Sequence, residues 1–154
     1  FSPINACERI VKGMPNRPTI EHGVPKAFYD PVFDSVNMPN AGLFVSNDEY
    51  YSTLFHELVH SVGHHSRLNR HKPLKQGFRH DDHDYSQEEL VAECGGAYLC
   101  ALARISPGTV SNSAAYIQGW LNRLNGDKRF LFFAALQAQK AVDFIRGKPL
   151  ASRK

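Results

Sequence analysis

Residues 46 to 63 constrain this chain more than any other stretch. Ser46 is followed three positions later by Glu49, a pairing that satisfies the free amide groups at the start of a helix. Tyr51, Phe55, Leu58 and Val62 then recur at helical spacing, and the end falls near Gly63. The same segment carries His56-Glu57-Leu58-Val59-His60. Residues four apart lie one turn apart on one side of a helix. Phe55, Leu58, Val59 and Val62 commit one face to a core, so His56 and His60 share a different edge and can reach a single ion. This is the H-E-x-x-H pattern, and two neutral imidazoles suit Zn2+ at about 2.0–2.1 Å. Glu57 lies about 100° further round, beside such an ion rather than on it. A carboxylate there can take a proton from water that the metal acidifies to a pKa of about 7, and pass it to a leaving amine.

The histidine distribution points to the same place: of 8 histidines, seven lie between His56 and His83. A zinc site needs a third protein ligand and an open position. The longer pattern with a distant third histidine is excluded, because Ser66 stands where that histidine would be. The better source is Glu88-Glu89-Leu90-Val91-Ala92-Glu93, in a second predicted helix from Ser86 to about Arg104. Glu89 and Glu93 are four apart and share a face, so one can bind the metal while the other orients a histidine. Glu89 is the first candidate, Glu93 and His64 are alternatives, and Glu88 and His83 stand behind them. Glu89 can also be read as only capping the helix that Ser86 opens, where the helix dipole favours acids. Gly95 and Gly96 cost helix stability but would let the histidine helix pack closely. An oxyanion formed at a peptide carbonyl needs a donor; Tyr85 is the first choice, with His64, His83 and Arg67 as others.

The remaining segments read as an α+β chain. Residues 3 to 13 suit a short helix with Ile4, Cys7, Ile10 and Val11 on one side, stopped by Gly13 and Pro15. Between Thr19 and Met38, short runs separated by Gly23, Pro25, Asp30 and Pro31 predict a small antiparallel meander, with another strand near Leu43 to Val45. Residues 66 to 85 are polar and predict a long loop. Its Asp81-Asp82-His83-Asp84 cluster reads as solvated rather than as a second metal site. Arg67, Arg70, Lys72, Lys75 and Arg79 form a basic stretch, solvated or in contact with phosphate. Two more helices fit residues 112 to 124 and 127 to 146, the last closed by Gly147 and Pro149.

Length and composition set the outer bounds. The 154 residues suit one domain spanning 1–154, and 42% hydrophobic with 21% charged residues excludes a disordered chain. A mean hydropathy of -0.38, without an apolar run near 18 residues, excludes a membrane-spanning helix. A formal net charge of +3 is too small to argue for nucleic-acid binding by itself. Cys7, Cys94 and Cys100 form no metal-type pair and are read as reduced thiols of a cytoplasmic protein. Pro3, Glu8 and Arg9 interrupt any signal-peptide core, and a start at Phe1 reads as a fragment or a processed product.

The run from Phe55 to His64, followed by Ser66-Arg67-Leu68-Asn69-Arg70, resembles the zincin-like metallopeptidase domain at the C-terminus of ArdC-type antirestriction proteins. Glu88 to Glu93, Asn112 to Ile117, Asp127-Lys128-Arg129 and Ala138-Gln139-Lys140-Ala141 carry the same resemblance, as do Pro18-Thr19-Ile20, Ala27-Phe28-Tyr29 and Met38-Pro39. It spans roughly residues 8 to 146. The resemblance implies a bacterial, plasmid or phage-type cytoplasmic domain with a zincin core, associated with conjugative DNA transfer and protection of incoming DNA. It also implies an N-terminal single-stranded-DNA-binding domain, outside these residues, as the route to DNA. The expected activity is a zinc-dependent metallopeptidase: His56, His60 and Glu89 hold the ion, Glu57 is the base, and an edge strand aligns a protein or peptide substrate. The same donors accept Mn2+ or another divalent ion. The alternative is a metal-bearing module that acts without proteolysis, by binding DNA or a restriction enzyme.

Overall fold

The most apolar of the short strands takes the centre of the sheet. The computed structural model describes residues 1–70, 83–106 and 110–148. Their elements run α1 (Asn5–Gly13), β1 (Thr19–His22), β2 (Phe28–Asp30), β3 (Ser35–Met38), a 3-10 turn (Ala41–Leu43), α2 (Asn47–Val62), α3 (His83–Ala103), α4 (Val110–Arg123) and α5 (Arg129–Ile145). The sheet order is β1-β3-β2. β2 pairs antiparallel with β3, whereas β1 pairs parallel to it, Thr19 opposite Ser35 and His22 opposite Met38. The expected all-antiparallel meander is therefore corrected to a mixed sheet. The reason lies in burial: β3 buries Val36, Asn37 and Met38, while β1 and β2 bury none of their residues, so β3 is sheltered between them. Asn37 secures the connection from β1 to β2, its side-chain amide donating to the carbonyls of Val24 and Lys26 at 2.9 and 2.6 Å. The strand expected near Leu43 to Val45 is instead the 3-10 turn and an extended step into α2.

α2 begins as its sequence dictates. Ser46 Oγ accepts from the Glu49 amide at 3.1 Å, and Glu49 Oε2 accepts from the Val45 amide at 2.8 Å. The helix then buries Tyr51, Leu54, Phe55, Leu58, Val59 and Val62. Full burial contributes about 1.5–3 kcal/mol for a side chain such as Phe55 or Leu58. α3 lies against α2, and α5 packs its Ala134, Ala138, Ala141, Val142 and Ile145 into the same core. The small side chains of α5 permit that approach. At its end Gly147 adopts φ +69, and the amides of Gly147 and Lys148 donate back to Phe144 and Asp143, both at 2.9 Å. Pro149 lies outside the described residues.

Where α3 starts differs from expectation. It begins at His83 rather than after Ser86, and Ser86 is buried inside the helix, so it caps nothing. Of the expected loop, residues 66–70 form a turn against the end of α2, where the Leu68 amide donates to Val62 O at 2.9 Å and Asn69 has φ +50. Residues 71–82 lie outside the described part. All three cysteines are free, and burial pushes the thiols up, Cys7 to about 12 and Cys94 and Cys100 to about 11. Among the described residues no helix is long and apolar enough to cross a membrane.

Candidate metal centre

α2 and α3 bring three donor groups to one point. His56 Nε2 and His60 Nε2 are 3.1 Å apart. From α3, Glu89 sets Oε2 3.2 Å from His56 Nε2 and Oε1 3.0 Å from His60 Nε2. One ligand atom from each residue lies within 4.8 Å of the others. Two glycines allow the helices this close: a Cβ on Gly95 would press on Val59, and one on Gly96 would touch the His56 backbone.

The outward nitrogens both face carboxylates, within hydrogen-bond distance at His60 and at ion-pair distance at His56. His60 Nδ1 lies 3.1 Å from Glu88 Oε1, and His56 Nδ1 lies 3.6 Å from Glu93 Oε1. A carboxylate behind an imidazole keeps the proton on the outer nitrogen and turns the inner lone pair toward the centre. Two inward lone pairs and a carboxylate repel one another unless positive charge lies between them. This donor set therefore fits one divalent ion. The same carboxylates draw positive charge toward the histidines, whether carried by a proton or by an ion. Burial works against charge on His60, but Glu88 and Glu89 outweigh it and lift the imidazole well above its usual range. Burial likewise opposes the Glu89 charge, yet His56 and His60 pull its carboxyl down to about 2. Glu93 moves the other way, raised first by burial.

A family model described as zincin-like metallopeptidase (MPTase-PolyVal) matches residues 6–137. The chain belongs to this family. Two Escherichia coli proteins, each called DNA primase TraC, are 41% and 35% identical to it over 130 and 148 residues. Those matches cover 82% and 94% of this chain but only 12% and 10% of the primases. An uncharacterized protein of Sinorhizobium fredii is 34% identical over 129 residues, 84% of this chain and 41% of its own length. The crystal structure of the antirestriction protein ArdC from the R388 plasmid, in its Mn(II)-bound form, superposes with a TM-score of 0.72 at 35% identity. It covers 97% of this chain and 53% of ArdC; the metal-free form gives 0.69 at 38% identity, covering 95% and 50%. The chain is thus a zincin-like α+β domain of the ArdC type, spanning about half of ArdC and a much smaller share of the primases.

Within this zincin-like domain, Glu57 is buried on α2, in electrostatic reach of Tyr85 and Glu93. Tyr85 stands near the start of α3, edge-on to Trp120 of α4 with ring centres 5.7 Å apart. Burial, together with Glu89 and Glu57, holds its hydroxyl above the usual phenol range, so it is a protonated donor at neutral pH. His64 is not brought to the centre. It lies past the end of α2, with Nδ1 2.8 Å from Ser66 Oγ. Arg67 is neither solvated nor aimed at a substrate: its fully buried side chain grips Asp34 at 2.7 and 3.0 Å and donates to Asn16 O and Ser61 O. That removes it from the oxyanion candidates. Arg70 likewise leaves the basic stretch, paired with Glu88 and Val59 O. Lys72, Lys75, Arg79, Asp81 and Asp82 lie outside the described residues, and of His83 only the backbone is described. Asp84 is exposed in the first turn of α3.

Spacing missed the Arg70–Glu88 pair. The two are 18 positions apart in sequence, and the turn after α2 carries Arg70 back to α3. The readable signal was narrower: a glutamate next to the candidate ligand, on the helix that faces the histidines.

Proposed function

We propose that this domain is a zinc-dependent peptide-bond hydrolase, with Mn2+ or another divalent ion as a substitute. The convergence of His56 Nε2, His60 Nε2 and the Glu89 carboxylate, with their outer partners in place, carries the reading. A bound ion would supply Lewis acidity, acidifying water and polarising a carbonyl. Glu57 takes the proton of the attacking water and returns it to the departing amine. Tyr85 donates a hydrogen bond to the oxygen that gains charge. Glu93 steadies His56 from behind, and an edge of the sheet aligns an extended protein or peptide substrate.

The Mn(II)-bound structure of the similar ArdC supports a divalent-metal reading. The names antirestriction ArdC and DNA primase TraC support a role within a longer protein of DNA metabolism and antirestriction, which we place in the cytoplasm and in DNA transfer. In that setting residues 1–154 form one domain, and DNA is met by a separate N-terminal one. Direct phosphate contact by the basic stretch has less to stand on, since Arg67 and Arg70 are committed to Asp34 and Glu88.

The test is Glu57→Gln, assayed for bound zinc and for cleavage of denatured casein and a peptide library. The variant is expected to keep one ion per chain and lose hydrolysis. Hydrolysis that survives the substitution removes Glu57 as the base. A wild-type chain that binds no ion stoichiometrically removes the metallopeptidase reading altogether.

A further inference from the structure

Two neighbouring glutamates on α3 meet the same histidine from opposite sides. Glu89 faces the inner nitrogens, while Glu88 sits behind His60 with Oε1 3.1 Å from Nδ1. They are the same residue type on the same helix turn, so something outside the helix must divide their roles. Arg70 does this. Its Nε donates to Glu88 Oε2 at 2.9 Å and its Nη2 to Glu88 Oε1 at 2.7 Å. The same Nη2 donates to Val59 O at 3.0 Å, the carbonyl one residue before His60.

We infer that Arg70 and Glu88 are a positioning pair that holds His60 for the metal and keeps Glu88 itself away from it. This deepens the metal-site reading above and rests on it. The two-pronged grip fixes the plane of the Glu88 carboxylate, as a planar guanidinium does and a lysine cannot. With both oxygens held by Arg70, the Glu88 carboxylate is set to accept the His60 Nδ1–H. That proton on Nδ1 leaves Nε2 as the ligand nitrogen.

Arg70 has a second effect. Glu88, Glu89 and Glu93 gather around two imidazoles, and the guanidinium neutralises the glutamate that the ion does not need. It also ties α3 to the α2 backbone beside His60, so the separation of the ligand-bearing helices depends on it. Its Nη1 is buried without a hydrogen-bond partner among the described residues. The side chain is thus placed to serve Glu88 and Val59 rather than to satisfy all its own donors.

The experiment compares the wild-type chain with E88Q, R70K and the double variant. Zn2+ alone and Mn2+ alone are titrated by calorimetry into metal-free protein whose fold is checked by circular dichroism. E88Q and R70K are each expected to weaken metal affinity about 10- to 100-fold. Their effects should be less than additive, because both act through one hydrogen bond to His60. In 15N spectra of the zinc-loaded wild type, His60 should show a hydrogen-bonded proton on Nδ1, displaced in both variants. A purely structural pair would not move that resonance. Two folded variants with affinities within twofold of wild type, or a wild-type His60 with no proton on Nδ1, would overturn the inference. If E88Q does not fold, R70K and the wild-type spectrum decide it. A wild type that binds no ion fails the earlier reading instead, a result distinct from unaltered binding by the variants.

Discussion

A Cβ on Gly95 would lie 2.8 Å from Val59 Cγ2 and 2.9 Å from Val59 Cγ1. Val59 is buried between the two histidine positions of α2, so this contact sets how closely α3 can carry Glu89 to them. On Gly96 the nearest atoms would be His56 N at 3.4 Å and His56 Cα at 3.5 Å, which is ordinary contact. Gly95→Ala should therefore destabilise the fold by roughly 1–2 kcal/mol, overpacking outweighing the gain in helix propensity. It should also weaken metal binding. Gly96→Ala should stay within about 1 kcal/mol of wild type. Urea unfolding of the metal-free proteins distinguishes the two, and equal stability would show that Val59 yields.

Asp34 has φ +50 and holds the guanidinium of Arg67, whose side chain has no exposed surface. Asp34→Asn keeps a residue that tolerates this backbone but removes the charge. Arg67 is then buried without its counter-ion, at a cost of about 2–3 kcal/mol once the partial exposure of Asp34 is discounted. Burial opposes the Asp34 charge, but Arg67 and the Tyr29 hydroxyl outweigh it and depress its pKa. A depressed carboxylate contributes stability that is fully present above the unfolded pKa of about 3.9 and is lost as pH falls through the folded value. The stability gap between wild type and D34N should thus narrow below about pH 4. A gap that stays constant down to acid unfolding would mean the ion pair does not stabilise the clamp.

What the sequence made legible divides along a physical line. α2 was readable because its start signal, apolar period and terminal glycine are local, and the structure keeps all three. The start of α3 was not, because Ser86 has the residues of a cap but lies in the core, where tertiary packing overrides a local signal. The parallel pairing of β1 with β3 was hidden for a similar reason. Three short strands with turn residues between them fit several orders, and only the burial of Val36 and Met38 makes β3 central. At the site, the approach of His56, His60 and Glu89 followed from four-residue spacing and a nearby acid. The arginine contacts did not, since a basic run after a helix looks solvated until the chain turns back on itself.

Tyr85 provides a test that separates chemistry from metal binding. Its hydroxyl is held in the protonated form beside Glu89 and Glu57. If it donates to the oxyanion, Tyr85→Phe should lower kcat about 100-fold while KM and zinc stoichiometry change little. The chain has 1 tryptophan, Trp120, and its ring lies 5.7 Å from Tyr85. A change in Trp120 emission on adding peptide is the expected readout of binding in both proteins, independent of turnover. A variant that binds peptide by this signal and cleaves at the wild-type rate would take Tyr85 out of the reaction.

Removing the ion should cost stability as well as activity. A ligand that binds only the folded chain adds about 4 kcal/mol at a thousand times its Kd. For a chain of this size that corresponds to a rise in Tm of roughly 8–16 °C, reversed by a chelator. His60→Ala and Glu89→Gln should abolish the increment, because each removes one of the three converging donors. The increment should also shrink as pH falls, since a proton on an imidazole nitrogen competes directly with the metal. Thermal unfolding at several pH values, with and without added zinc, gives both results. A Tm that rises equally in wild type and H60A would place the ion elsewhere on the molecule.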